Sequence, residues 1–180
     1  MGTTFLFFYT ATIVDGMTST DQDSRLHIVF VCTGNICRSP MAEVIARDAM
    51  ETDMLDLLAR TSSCGLGGWH VGQGADERAI AELRKAGHDG SAHRAAQLGK
   101  EHMDADLFVA MDSGHRDKLI AKGIDASKVK LMRSFDEDAS SPDVEDPYYG
   151  SQEDFATVRH NIEDSIPGLM DWIRDHAQGH

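Results

Sequence analysis

His27-Ile28-Val29-Phe30-Val31-Cys32-Thr33-Gly34-Asn35-Ile36-Cys37-Arg38-Ser39-Pro40-Met41-Ala42-Glu43 is a hydrophobic run that stops at a cysteine, crosses a polar loop and continues as helix-forming sequence. The apolar, β-branched run from Leu26 to Cys32, bounded by polar sequence, predicts a buried parallel strand. Pro40 falls near the first turn of the helix that follows, where its missing N–H costs nothing. Between them, Gly34 can take positive φ and Asn35 tolerates it, so the loop's amide hydrogens can converge on one point ahead of a helix N-terminus. Five residues separate Cys32 from Arg38. A loop curled around a small tetrahedral anion would then hold a thiolate beneath it and a planar guanidinium beside it.

A cysteine and an arginine at this spacing form a weak pattern alone; the preceding strand, the Gly and Asn within the loop, and Ser39-Pro40 after it make it specific. The geometry is that of phosphoryl transfer to cysteine. Sulfur attacks as the thiolate, a form favoured by a helix N-terminus, loop amides and a nearby arginine. Attack on phosphorus would give a phosphocysteine and divide one hard hydrolysis into two easier displacements. The Arg38 fork can bind two equatorial oxygens at once, which a lysine point charge cannot do. The Ser39 hydroxyl can donate to the Cys32 sulfur or cap the helix, and both roles fit. Such a cradle holds a dianion without a metal or other cofactor. One carboxyl can protonate the leaving oxygen and later deprotonate the attacking water. A loop carboxyl read by itself is a solvated one; Asp146 stands out in that Pro147 stiffens its loop and Tyr148-Tyr149 supply aromatic walls, with Asp143 and Glu145 next.

Outward from this stretch, apolar residues at helical spacing predict an amphipathic helix over Ser39–Leu58. Thr61–Gly65 gives a short strand signal, and Leu66–Gly72 is too rich in glycine for a regular element. Asp76-Glu77-Arg78 opens a helix that Gly87 closes. Ser91–Met103 reads as a connection with one further helical turn. Leu107–Met111 is a clear buried strand ending at Asp112, Gly114–Lys122 a helix and Val129–Met132 a short strand. Arg133–Gly150 is a long polar loop, of a length that is usually functional or disordered. Phe155–Trp172 is a final helix that Pro167 should kink or split. Strands alternating with helices imply one α/β domain of three layers, a central four-stranded parallel sheet flanked by helices, with its site at the strand C-terminal ends.

At 180 residues the chain suits one such domain. Lys plus Arg at 17 against Asp plus Glu at 30 gives a net charge of −13, which argues against nucleic acid and anionic membrane surfaces as partners. A phosphorylated substrate is also repelled at long range, so binding must rest on the cradle and on basic groups at its rim, for which Arg38, His70, His93 and Arg94 are candidates. Three cysteines, two of them in one loop, make no secreted disulfide framework and no zinc site, and a reducing cytoplasm fits them. Residues 1–25 read as a leader or tail ahead of a domain over 26–176. Met1–Gly16 lacks the basic region, length and cleavage site of a signal or anchor.

Cys32-Thr33-Gly34-Asn35-Ile36-Cys37-Arg38-Ser39-Pro40, with Asp146-Pro147-Tyr148-Tyr149-Gly150 far downstream, resembles the low-molecular-weight protein tyrosine phosphatases, in particular their bacterial, actinobacterial-like members. The likeness runs from about Leu26 to about Trp172. It implies Cys32 as nucleophile, Arg38 as phosphoryl ligand and Asp146 as general acid and base, with Thr33, Gly34, Asn35, Ile36, Cys37, Arg38 and Ser39 forming the phosphate-binding loop. It turns the weighting for Asp146 from a solvated loop carboxyl towards a catalytic one, and it moves Trp69 from a core aromatic to a wall of the substrate cleft, beside Tyr148 and Tyr149. Asn35, Ser63 and His93 match positions that hold the loop in shape by hydrogen bonds, and Asp112 matches a further neighbour of the site. Cys37 matches a second loop cysteine able to trap oxidised Cys32 as a disulfide; read by itself it is a small buried filler. Cys64 departs from the small residue expected there. The implied partners are phosphotyrosine proteins or peptides, small aryl phosphates, and a tyrosine kinase acting on Tyr148 or Tyr149. An arsenate reductase would need relay cysteines after Cys64, and none follows. A capture module without turnover would lack the nucleophile or the acid, and a cysteine-phosphorylated sugar-transport subunit has no need of Arg38.

Overall fold

The computed structural model describes residues 23–179, so the expected leader over 1–25 lies outside the described residues except for its last three. Four strands, β1 (Leu26–Cys32), β2 (Ala59–Gly65), β3 (Leu107–Ala110) and β4 (Val129–Leu131), form one sheet in the order β2-β1-β3-β4. Every pairing is parallel. β1 sits between two neighbours and is buried at all seven positions, which is why its sequence is apolar at every position but His27 rather than alternating. Its side chains nonetheless divide by parity. Leu26, Ile28, Phe30 and Cys32 join the core under α1 (Arg38–Thr52) and α4 (Gln152–His176), whereas Val29 and Val31 join a second core with Phe108, Leu119 and Leu131 under α3 (Ser113–Ala121). α2 (Glu77–Lys85) packs beside α1 and α4. The three layers are those the alternation of elements implied.

Element boundaries differ from expectation where a local signal was misread. α1 stops at Thr52 instead of continuing to Leu58. Met54 takes positive φ (57° is the value at Asn35, 56° here), Leu55 N–H donates to Met50 O at 2.8 Å, and Met54 N–H donates to Glu51 O. This is a Schellman turn closed by methionine in place of glycine, with Leu55 folded back into the core. Leu58, counted on the apolar helix face in the sequence, is half-exposed in the turn beyond. β2 begins two residues before the predicted Thr61, in register with all of β1. Residues 91–106 do hold the one further helical turn expected there, a 3-10 turn at Lys100–His102, besides an isolated bridge from Gln97 to Gly65.

Pro167 does not split the last helix: α4 runs unbroken from Gln152 to His176. A proline inside a helix costs about 3 kcal/mol. Burial of Phe155, Val158, Ile162, Leu169, Met170 and Ile173 on both sides of it, at about 1.5–3 kcal/mol each, outweighs that cost. The following Gly168 lies where a Cβ would collide with the Phe135 carbonyl, so α4 approaches the start of the 133–150 loop closely.

Candidate active site

β1 delivers Cys32 at the C-terminal edge of the sheet, and α1 begins six residues later at Arg38. Cys37 occupies the helix N-cap without any side-chain cap bond. The first-turn amides are therefore left without the usual side-chain acceptor, and an anion in the loop can take that place. Ser39 lies inside the first turn, so it is not the cap. In the loop it is Asn35 that takes the left-handed conformation. Gly34 is required for a different reason: a Cβ there would meet the His70 ring at 2.9 Å.

A cavity of about 290 Å³ opens above this loop, lined by Cys32, Thr33, Gly34, Ile36, Cys37 and Arg38 below and by Trp69, His70, Asp146, Tyr148 and Tyr149 above. Trp69 is 73% exposed, which removes it from the core and leaves its ring on the cleft wall, folded over Gly67. Tyr148 and Tyr149 meet edge to face with centroids 4.9 Å apart. Residues far apart in sequence thus converge on one opening. Asn35 and Ser39 do not line it; their side chains are fully buried beneath the loop.

A directional hydrogen-bond chain explains that burial. Ala96 N–H donates to Asn35 Oδ1 at 2.8 Å, which fixes the amide orientation. Asn35 Nδ2 then donates to Ser39 Oγ at 2.8 Å and to Ser63 Oγ at 2.9 Å. The Ser63 hydroxyl in turn donates to Glu43 Oε2. With Ser39 Oγ already accepting, its hydroxyl hydrogen is free for Cys32 Sγ, 2.9 Å away, in preference to the Cys64 carbonyl at 3.4 Å. His93 Nε2 lies 2.8 Å from the Asn35 carbonyl, which only an N–H at that nitrogen can serve. His93 is therefore under the loop and not on the cleft rim, and Arg94 bonds to the Ser91 and His93 carbonyls away from it. Glu43 and the Ala96 amide had no signal in the sequence, since neither belongs to a motif.

Arg38 is 2% exposed. Its Nη1 donates to Asp112 Oδ2 at 2.8 Å and to the Val144 carbonyl at 2.9 Å, and its Nη2 lies 3.2 Å from Asp146 Oδ2. Its buried Nε has no hydrogen-bond partner among the described residues. Asp112 also caps α3 by accepting from His115 N–H, and these contacts hold its carboxyl below the usual range although burial works the other way. The acid loop is ordered: Val144 N–H donates to Met111 O, Asp143 accepts from Ser113, and Tyr148 N–H donates to Asp146 Oδ1 at 3.2 Å. Arg78, stacked over Phe155, donates to the Tyr148 and Gly150 carbonyls. All three cysteines are free. Burial first, then Asp76 and Cys32, pushes the Cys37 thiol up to about 12, and burial likewise raises the Cys64 thiol.

The family model described as low molecular weight phosphotyrosine protein phosphatase matches residues 27–178. The chain belongs to that family. It is 49% identical over 150 residues to low molecular weight protein-tyrosine phosphatase A of Mycobacterium tuberculosis, covering 82% of this chain and 91% of the relative. It is 40% identical over 158 residues to the low molecular weight protein-tyrosine-phosphatase of Streptomyces coelicolor, covering 84% and 96%. The crystal structure of YfkJ from Bacillus subtilis superposes with a TM-score of 0.79 at 34% identity, covering 84% of this phosphatase and 96% of that chain. The chain is thus a protein tyrosine phosphatase enzyme of the actinobacterial kind, on a single α/β domain.

Proposed function

We propose that this phosphatase hydrolyses phosphotyrosine through a phosphocysteine on Cys32, with Arg38 binding the phosphoryl group and Asp146 as general acid and base. The observation that carries the assignment is the division of Arg38. One nitrogen is spent on Asp112 and Val144, while among the described residues Nε is buried without a hydrogen-bond partner and Nη2 pairs with Asp146, at the cavity that Cys32 also lines. A buried N–H without an acceptor costs about 1–3 kcal/mol, and two phosphoryl oxygens would satisfy Nε and Nη2 together.

In the first step the Cys32 thiolate attacks phosphorus, an S–P bond forms, the P–O bond to the tyrosine breaks, and Asp146 gives its proton to the departing phenol oxygen. In the second, Asp146 takes a proton from water, the water oxygen bonds to phosphorus, and the S–P bond breaks to return the thiolate and release inorganic phosphate. Trp69, Tyr148 and Tyr149 would sort substrates by reach: an aryl stem spans the depth of the cleft, and the short stem of phosphoserine does not. Residues 26–176 would suffice as the catalytic domain, working in the cytoplasm on phosphotyrosine proteins, peptides and small aryl phosphates. Tyr149, 97% exposed, would be open to a tyrosine kinase. After oxidation of Cys32 to the sulfenic acid by peroxide, Cys37 would attack that sulfur, expel water and form a reducible disulfide.

Hydrolysis of a phosphotyrosine peptide by wild type and Cys32→Ser, each with and without EDTA, tests the assignment. Turnover should vanish in the variant, phosphate binding should persist, and EDTA should change nothing. A variant retaining a tenth of wild-type turnover would remove Cys32 from the chemistry.

A further inference from the structure

Beside the reaction cleft lies a polar cavity of about 270 Å³ that shares Thr33, Arg38 and Asp146 with it and is also lined by Asp112 and His115. His115 stands in the first turn of α3, 3% exposed. Its Nε2 is 2.8 Å from Thr33 Oγ1, and its Nδ1 is 3.1 Å from Asp112 Oδ1, off the direction of a regular hydrogen bond, so that Nδ1 has no bonded partner. The same Asp112 carboxylate receives the His115 backbone N–H on Oδ1 and Arg38 Nη1 on Oδ2. A neutral imidazole carries one N–H. If it were on Nε2, the electron-rich bare Nδ1 would stand 3.1 Å from a carboxylate oxygen, a repulsive contact in a buried place even off axis. If it is on Nδ1, that contact becomes attractive and Nε2 is left to accept from the Thr33 hydroxyl.

We propose that His115 is a positioning residue for the phosphatase reaction: with its proton on Nδ1 beside Asp112, it accepts a hydrogen bond from Thr33 and ties the residue after the nucleophile to the carboxylate that anchors Arg38. The inference rests on the assignment of Cys32 and Arg38 made above. Its consequence is a shared frame. The Thr33 hydroxyl hydrogen is turned away from the phosphoryl site, leaving the backbone N–H as the donor of that residue, and the Asp112 carboxylate cannot swing from Arg38 without giving up both contacts with His115. The neutral form follows from the surroundings: burial and then the Arg38 cation, helped by Lys118, lower the imidazole to about 4 against the opposing pull of Asp112 and Asp146.

Two measurements on the full chain decide it. Ring nitrogen NMR at neutral pH should give a protonated, pyrrole-type Nδ1 and a bare, pyridine-type Nε2 at His115; the reverse tautomer or an imidazolium overturns the proposal, and this readout needs no variant to fold. In kinetics, His115→Leu should lower kcat/KM for a phosphotyrosine peptide, and weaken inhibition by inorganic phosphate, by about tenfold. His115→Gln, whose amide oxygen can stand where Nε2 does, should recover most of the loss. In a Thr33→Val background, His115→Leu should cost less than about twofold, since the link is already cut. Losses that multiply in the double variant, or a Gln variant as impaired as Leu, would reject His115 as a link through Thr33 while leaving the Cys32 assignment intact. Turnover by Cys32→Ser would overturn that assignment instead, without altering the His115 ring signals.

Discussion

Arg38 Nη2 and Asp146 Oδ2 lie 3.2 Å apart at the mouth of the cleft. Asp146 is half-exposed, and this pair has a modest worth by itself. A phosphoryl group entering between them would take the Arg38 fork and leave Asp146 above the leaving oxygen. Asp146→Ala should then slow the first step for phosphotyrosine, whose leaving oxygen is a strong base, by about 100-fold or more. For an aryl phosphate with a good leaving group the loss should be far smaller. Single-turnover rates on the two substrates check this, and equal losses would send the search for the acid to Asp143 or Glu145. Asp143 is already spent on Ser113. Cys37 sets a second test at this scale. With its thiol pushed up to about 12, it is protonated at neutral pH, so the proposed capture of oxidised Cys32 would wait on loss of that proton. The yield of a Cys32–Cys37 disulfide after brief peroxide treatment should therefore rise from pH 6.5 to pH 8.5, roughly in step with the thiolate fraction. Peptide mapping that found sulfonate at Cys32 and no bridge at either pH would exclude the protective role.

Three helices end in the same turn, and only two of them announce it. α2 closes at Gly87, with His88 N–H donating to Leu83 O, and α3 closes at Gly123, with Ile124 N–H donating to Leu119 O; both glycines have positive φ. α1 closes at Met54 in the same geometry. A side chain in this conformation costs about 1–2 kcal/mol relative to the right-handed region. Met54 is largely exposed, so little packing is lost on trimming it. Met54→Gly should raise stability by about 1 kcal/mol after the larger chain entropy of glycine is set against the relieved strain, read as a higher urea midpoint with unchanged slope. A lower midpoint would mean that the methionine packs usefully in the turn. The 133–150 loop makes a related point. Its polar composition suits disorder, yet Val144 is fully buried and hydrogen-bonded at both N–H and C=O, which fixes the acid two residues further on.

Across the whole molecule, two buried histidines couple folding to pH. Burial lowers His27, held between Asp104 and Ser62, and lowers His115 to about 4. Because the folded value lies below the unfolded one near 6.5, the unfolded chain binds the proton first as pH falls. Their contribution is complete above about pH 6.5 and declines below it, for His115 between there and about pH 4. For His115 the full swing is on the order of 3 kcal/mol. Denaturant titrations at pH 7, 5.5 and 4.5 should show this decline, flattened in His115→Gln. An identical slope in that variant would place the acid sensitivity elsewhere. The depressed carboxylates, Asp112 and Asp76 among them, work further down: their contribution persists above about pH 4 and is lost only below it. No helix among the described residues is long and apolar enough to cross a bilayer.

What the sequence determined by itself is whatever a short segment encodes through its own geometry. The alternation of apolar runs with helical patterns was enough to read the parallel α/β sheet, the spacing from Cys32 to Arg38 marked the loop that lines the cleft, and the Asp146-Pro147-Tyr148-Tyr149 segment and Trp69, which meet it there, were placed by the family resemblance. Gly87 marked a helix end because glycine advertises its conformation. Tertiary structure decided the rest, wherever a residue's role depends on a partner remote in sequence. Gly34 is glycine because the His70 ring lies over it, not because of its own φ. Pro167 stays inside a helix because core burial outweighs the local penalty. Glu43 and His115 matter through Ser63 and Thr33, and His93 serves the loop from beneath instead of the rim. Hydrogen bonds of that kind depend on distances that chain order does not specify, so they are set only once the sheet has brought the strand ends and their loops together.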